Sequence, residues 1–178
     1  MRCGKSAFAV SRALQAGHKR AFVATAQGLD DEMNERIAAH KAERAEAFTT
    51  VEAPVDLAAA VAGLPAVDVV VIDCMTLWLS NMLMAQASDQ QIHEHLENLM
   101  QVITSRSWHV IVVTNEVGLG VVPPSALGRQ FRDLAGRIHQ RLVKQSDEIY
   151  FGVLGAMLRL RPNPVSLVTA RDFLPSST

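Results

Sequence analysis

The chain has little of what would make it a secreted, membrane-bound or nucleic-acid-binding protein. It carries only two cysteines, Cys3 and Cys74, far apart and in no C-x-x-C pair. Two distant cysteines read as free thiols of a reducing compartment, not as a disulfide framework. No apolar run approaches membrane-spanning length, and Met1 is not followed by a basic region and an apolar signal segment, so the sequence is expected to be cytosolic. Seventeen basic against eighteen acidic residues leave a formal net charge of -1. That balance removes the electrostatic case for a nucleic-acid or membrane-surface partner and favours a small ligand whose charge is handled locally. The six histidines are scattered. His93 and His95, two apart, would point to different faces of a helix, which argues against a zinc site. There is no internal repeat, low-complexity stretch or linker.

A further absence concerns a motif. Arg2-Cys3-Gly4-Lys5-Ser6 reads as the second half of a phosphate-binding loop, G-x-x-x-x-G-K-[ST], without its first half. In the complete loop backbone N–H groups wrap the phosphates, the lysine reaches the outer ones and the hydroxyl holds Mg2+. Gly-Lys-Ser alone also marks ordinary turns that open helices. Here an apolar stripe of Ala7, Phe8, Val10, Ala13 and Leu14 begins where the loop's helix must begin.

What is present is a core. With 178 residues and 49% hydrophobic content, the sequence suits one globular domain, expected over residues 1–161, with a peripheral tail over 162–178 that holds three of the seven prolines. Short β-branched runs alternate with helical patterns, the pattern of an α/β fold with a mostly parallel sheet flanked by helices. Strands are predicted at Ala21–Ala26, Phe48–Glu52, Val67–Cys74, His109–Asn115 and Glu148–Gly155. The third and fourth are apolar enough to be central strands buried on both faces. Helices are predicted near Asp31–Arg44, Val55–Ala62, Thr76–Ala85, Asp89–Arg106 and Ser125–Gln145, the last with a stripe of Leu127, Phe131, Leu134, Ile138 and Leu142. Gly155 supplies a tight turn from which Met157–Arg161 can return as a C-terminal hairpin.

Two segments can carry chemistry. If Asp30 caps a helix, Met33, Ile37, His40 and Arg44 share one face. The plain reading is a solvated amphipathic helix with a packing histidine; the sharper one is a nucleophilic imidazole beside Lys41 and Arg44, cations that can hold a phosphate. In open α/β sheets ligands bind beyond the carboxyl ends of strands. Asn115 and Glu116 end one buried strand, with Gly118 and Gly120 letting the chain pass closely. Asp73 ends the neighbouring run Val69-Val70-Val71-Ile72, either as a Walker-B-like carboxylate for Mg2+ or as a helix cap.

The strings Ala24-Thr25-Ala26, Asp31-Glu32-Met33, Arg36-Ile37, His40-Lys41-x-x-Arg44, Val51-Glu52, Thr114-Asn115-Glu116-Val117-Gly118-x-Gly120-x-Val122-Pro123 and Phe131-Arg132-Asp133-x-Ala135-Gly136-Arg137 closely resemble the bifunctional adenosylcobinamide kinase/adenosylcobinamide-phosphate guanylyltransferase family of cobalamin biosynthesis, from Arg2 to about Leu160. The resemblance implies a P-loop NTPase (RecA-like) fold and phosphorylation of the aminopropanol hydroxyl of adenosylcobinamide by ATP or GTP. It implies, next, transfer of GMP from GTP through a GMP–histidine, matched by His40, to give adenosylcobinamide-GDP. It further implies that Gly4, Lys5 and Ser6 hold phosphates, that Ser6 and Asp73 hold Mg2+, and that Ala24, Thr25, Ala26, Lys41, Ala42, Glu43, Arg44, Glu52 and Asp73 contact the guanine nucleotide. Glu52 would accept from guanine N1–H and N2–H2. A homotrimer is also implied, for which the apolar Met75–Met84 helix could serve as an interface or, equally, as a core helix.

The sequence departs from the family pattern at Cys3, Ala45, Phe48, Asp73 and His139, the last standing where asparagine is expected. The family also begins with a strand and a Gly-Gly pair before the loop's arginine. Met1 is therefore expected to be an internal methionine of a longer chain, and the strands beside the missing one are expected to leave unpaired backbone groups, each costing about 1–3 kcal/mol if buried. A nucleotide-binding module that keeps the fold but not the catalysis is the alternative. A generic small-molecule kinase would leave His40 idle.

Overall fold

The computed structural model describes residues 3–28, 47–163 and 166–168. Helix α1 (Lys5–Ala16) is followed by strand β1 (Arg20–Ala24), β2 (Thr49–Glu52), α2 (Leu57–Ala62), β3 (Val69–Asp73), α3 (Met75–Met84), α4 (Asp89–Thr104), β4 (His109–Val113), α5 (Ala126–Val143), β5 (Ile149–Val153), β6 (Ala156–Arg161) and β7 (Ser166–Val168). The first four strands form a parallel sheet in the order β2-β1-β3-β4, and the last three an antiparallel sheet in the order β5-β6-β7. The helix predicted at Asp31–Arg44 lies outside the described residues.

Strand alternation divides the core. Ala21, Val23, Val70 and Ile72 face one layer, built with Leu57 and Val61 of α2, Trp78, Leu79 and Met82 of α3, Ile92, Leu96 and Leu99 of α4 and Leu134, Ile138 and Leu142 of α5. Phe22, Ala24, Val69 and Val71 face the other, where Ala9 and Ala13 of α1 and Phe48 pack. Phe22 and Phe48 meet edge to face at 6.1 Å. Each large side chain so buried contributes about 1.5–3 kcal/mol.

The central strands are β1 and β3. Strand β4, expected to be buried on both sides, is the sheet's edge: His109 is exposed and Val110, Ile111 and Val112 are half-buried. It pairs directly with β3 from Val69↔His109 to Asp73↔Val113. Among the described residues the other edge of β4 has no strand partner, and β5–β7 form a separate sheet. One apolar stripe is rotated from its predicted position, and another holds except at its first residue. In α1 the buried residues are Ala9 and Ala13, while Leu14 is 44% exposed; in α5 Leu127 is 61% exposed and burial begins a turn later.

The direction of α1 fixes which end of the sheet it serves. After α1, the backbone N–H groups of His18 and Lys19 donate to Asp68 Oδ2 at 2.8 and 2.9 Å, and Asp68 stands just before β3. Gly17 lies so close that a Cβ there would sit 2.4 Å from Asp68 Cβ. The end of α1 is thus at the amino ends of the strands. Its twelve residues, about 18 Å of helix, return its start to their carboxyl ends.

The predicted hairpin forms through Leu154 and Gly155, both at positive φ (52° and 78°), as the two central residues of a type I′ turn. Phe8 of α1 packs on Tyr150 of β5 at 4.8 Å, and Arg12 pairs with Glu148 at 2.6 Å, so the antiparallel sheet leans on α1. Strand β7, within the segment expected to be a tail, pairs with β6. No helix among the described residues is long and apolar enough to cross a membrane.

Candidate functional site

The parallel register lines up one row at the carboxyl end of the sheet. Ala24 is paired with Glu52 on one side and Asp73 on the other, and Asp73 with Val113. Glu52 and Asp73 are therefore two strand spacings apart, about 10 Å. Helix α1 opens at this end. Gly4 takes the left-handed conformation (φ 83°) at its N-cap, a backbone turn suited to glycine, and its carbonyl receives Phe8 N–H at 2.9 Å. Lys5 and Ser6 occupy the first turn, where free N–H groups and the helix dipole favour an anion. Lys5 Nζ lies 3.4 Å from Cys3 Sγ. Thus Gly4, Lys5, Ser6, Ala24, Ala26, Glu52 and Asp73 gather at one rim, whereas His40, Lys41, Ala42, Glu43 and Arg44 lie outside the described residues.

Thr25, which lies between Ala24 and Ala26 at this rim, is held inside the protein. It is fully buried, and every polar group it has is used inside the protein. Its N–H donates to Asp73 O at 3.0 Å, and its hydroxyl accepts from Cys74 N–H at 2.7 Å and donates to Cys74 O at 2.8 Å. Its carbonyl accepts from Asn81 Nδ2 at 2.8 Å. Thr25 therefore fixes the ends of β1 and β3 through its side chain and backbone.

Asn81 completes this clamp by also donating to Pro54 O at 2.9 Å, tying in the chain that leaves β2. Trp78 Nε1 donates to Val55 O at 2.7 Å. Neither residue was singled out from the sequence. A lone amide inside the apolar run Met75–Met84 was the available signal, since a buried amide must find partners. Six residues of that helix, Met75, Thr76, Trp78, Leu79, Asn81 and Met82, are buried within the chain, as a core helix requires. Burial also raises the Cys74 thiol above its ordinary pKa, so it is not an activated nucleophile.

Beyond β4 the rim changes character. Asn115 Nδ2 donates to Thr76 Oγ1 at 2.7 Å, joining the segments that follow β4 and β3. Thr114 Oγ1 lies 2.8 Å from His139 Nε2, and His139 Nδ1 lies 3.5 Å from Glu116 Oε2. Gly118 N–H donates to Glu116 Oε1. The histidine at the position where asparagine was expected thus links the strand end to a carboxylate. Glu116 and Gly118 form one wall of a cavity of about 390 Å3, and Arg132, Asp133, Gly136 and Arg137 of α5 form the other. Among the described residues no group of three or more His, Cys, Asp or Glu side chains could hold a metal. Two protein oxygens, from Ser6 and Asp73, suit an ion carried in by phosphates, because Mg2+ keeps waters and substrate oxygens for the rest of its shell.

The sequence resembles that of known proteins. The family model described as cobinamide kinase / cobinamide phosphate guanyltransferase matches residues 1–160. The bifunctional adenosylcobalamin biosynthesis protein CobP of Pseudomonas aeruginosa is 36% identical over 165 residues, covering 92% of this chain and 95% of that protein. The bifunctional adenosylcobalamin biosynthesis proteins CobU of Escherichia coli and Salmonella typhimurium are 35% and 34% identical over 153 residues, covering 79% of this chain and 84% of each relative. By its sequence over residues 1–160, the chain belongs to the cobinamide kinase / cobinamide phosphate guanyltransferase family.

Proposed function

We propose that this bifunctional kinase and guanylyltransferase of cobalamin biosynthesis seats its nucleotide on the rim where α1 begins and β1, β2 and β3 end. The observation that carries the reading is the convergence of Lys5 and Ser6, at the start of α1, with the row Glu52–Ala24–Asp73 at one end of one sheet. Backbone N–H groups at the helix start and the Lys5 ammonium bind phosphate oxygens. Glu52, exposed at the end of the outer strand, accepts from the guanine edge. Ala24 and Ala26 leave room for the nucleotide against the strand ends, and Thr25 holds them in place. Mg2+ would be held by the Ser6 hydroxyl and the Asp73 carboxylate, and would offset charge on the phosphoryl group being transferred.

In this reading the hydroxyl of adenosylcobinamide is phosphorylated by ATP or GTP. His40 then attacks the α-phosphorus of GTP: an N–P bond forms, the α–β P–O bond breaks and pyrophosphate leaves. A phosphate oxygen of adenosylcobinamide phosphate next attacks that phosphorus, the N–P bond breaks, and adenosylcobinamide-GDP is released. An imidazole suits both halves, since it attacks as a neutral base and leaves readily from a phosphoramidate. Lys41, Ala42, Glu43 and Arg44 line the same nucleotide. Residues 1–161 carry both activities, the segment 162–178 neither, and the active form is a cytoplasmic homotrimer; a stable monomer by light scattering at micromolar concentration would contradict the trimer. No observation favours a module without catalysis.

The test uses GTP labelled at the α-phosphate, followed by denaturing electrophoresis. The parent chain takes label in an acid-labile, base-stable bond. His40→Ala takes none yet still phosphorylates adenosylcobinamide, because that step depends on Lys5, Ser6 and Mg2+. Label retained by His40→Ala, or a base-labile bond, would contradict the histidine intermediate.

A further inference from the structure

The cavity beyond β4 is not needed to hold the nucleotide, and its walls are unlike the rest of the rim. Helix α5 presents Arg132 and Gly136 one turn apart and, beside them, Asp133 and Arg137 one turn apart, while Leu134, Ile138 and Leu142 fill the core behind. Gly136 is in the helix interior, where glycine costs about 1 kcal/mol relative to alanine. No described atom outside its own helical surroundings comes within 4 Å of where its Cβ would stand. Packing does not account for this glycine; a Cβ there would only fill the cavity. The two arginines are loosely engaged. Arg137 is 70% exposed and 3.6 Å from Asp89, and Arg132 reaches Gly120 O only at 3.5 Å.

Charge decides the class of ligand. Two guanidiniums face two carboxylates, so a triphosphate entering here would meet Glu116 and Asp133 at close range. An uncharged arm rich in hydrogen-bonding groups would meet no such repulsion. Glu116 is also held from two sides, by Gly118 N–H on Oε1 and by His139 Nδ1 near Oε2, with His139 in turn anchored on Thr114 at the end of β4. A carboxylate so placed can accept a proton from an alcohol.

We infer that this cavity is the acceptor site of the kinase reaction, taking the neutral hydroxyl-bearing arm of the corrinoid, with Glu116 as general base and His139 as its positioning residue. The inference rests on the kinase reading above. The hydroxyl oxygen forms a bond to the γ-phosphorus of the nucleoside triphosphate bound at Lys5 and Ser6, the β–γ P–O bond breaks to release the diphosphate, and the hydroxyl proton passes to Glu116 and then to water. The strand ends beside α1 and the segment after β4 share one rim, as the Asp73↔Val113 pairing and the Thr76–Asn115 bond require.

The experiment measures three quantities on the full chain: cobinamide phosphorylation, cobinamide binding by equilibrium dialysis, and labelling by GTP alone, which needs no acceptor. Gly136→Leu fills the cavity while adding a better helix former, and a thermal melt checks its fold. It should raise both KM and the dialysis Kd for cobinamide at least tenfold and leave the GTP label unchanged. Glu116→Gln should lower kcat for phosphorylation about a hundredfold with little change in the dialysis Kd. His139→Asn should restore most of the activity that His139→Ala loses. Cobinamide KM and Kd within twofold of the parent in Gly136→Leu, with the fold intact, would overturn the acceptor site. A parent chain that takes no label from GTP would instead overturn the histidine intermediate, while dialysis still reads the cavity.

Discussion

The two halves of the rim are built on opposite terms. At the ends of β1 and β3, Thr25 and Asn81 satisfy one another and the surrounding backbone, and both are buried. Beyond β4, Glu116, Asp133 and Arg137 are exposed, and the arginines make only long contacts. Buried polar groups cost heavily when left unpaired, so the first half must be complete before any ligand arrives. Exposed charges cost little while they wait in water. One half can therefore serve as a fixed frame for the nucleotide ends of β1–β3, and the other as a place where a substrate supplies the missing contacts.

Substitutions separate these roles. The largest loss of stability is expected from Asn81→Ala, which leaves the carbonyls of Thr25 and Pro54 without a donor, about 1–3 kcal/mol for each. For a chain of this size that is several degrees in Tm at ~2–4 °C per kcal/mol, read by a thermal melt. Thr25→Val keeps the shape but strips Cys74 N–H and C=O of their partner, and a fall of about 1–3 kcal/mol in denaturant titration is expected. If either variant kept parental stability but lost nucleotide binding, the frame would be a ligand site after all.

A smaller effect tests an ion pair behind the cavity. Arg141 grips Glu97 through two bonds, 2.6 and 2.8 Å, joining α5 to α4, and this hydrogen bonding lowers the Glu97 pKa below its ordinary value. A lowered carboxyl pKa gives stability that is present above the unfolded-state value, about 4.3, and is lost as pH falls through the native one. A double-mutant cycle at neutral pH should give a coupling of at most about 1 kcal/mol, shrinking as pH falls below about 4. The smallest effect belongs to the cavity itself: Arg137→Ala should change stability by no more than about 0.5 kcal/mol. A larger loss would mean that the cavity wall holds the fold together.

The sequence made the layered architecture legible because β3 is an unbroken apolar run, α5 carries helical periodicity, and Gly4-Lys5-Ser6 opens a helix. It misplaced β4 as a central strand, since an edge strand packed on both faces, Val110 and Val112 in one layer and Ile111 and Val113 in the other, reads like a fully buried run. It did not show the clamp at Thr25, because the partners of its hydroxyl and carbonyl stand 49 and 56 positions away, which no local pattern reveals. His139 was visible only as a departure from the family pattern. Its link between Thr114 and Glu116 depends on how α5 lies beside β4.

The most direct measurement of the division between nucleotide rim and acceptor cavity is a set of thermal melts with Mg2+-GTP or with cobinamide, on the parent, Lys5→Ala and Gly136→Leu chains, since a ligand that binds the folded state raises Tm. The account predicts that Lys5→Ala loses the upward shift given by GTP and keeps that given by cobinamide, while Gly136→Leu does the reverse. Both shifts lost together in either variant, with its unliganded melt unchanged, would contradict it.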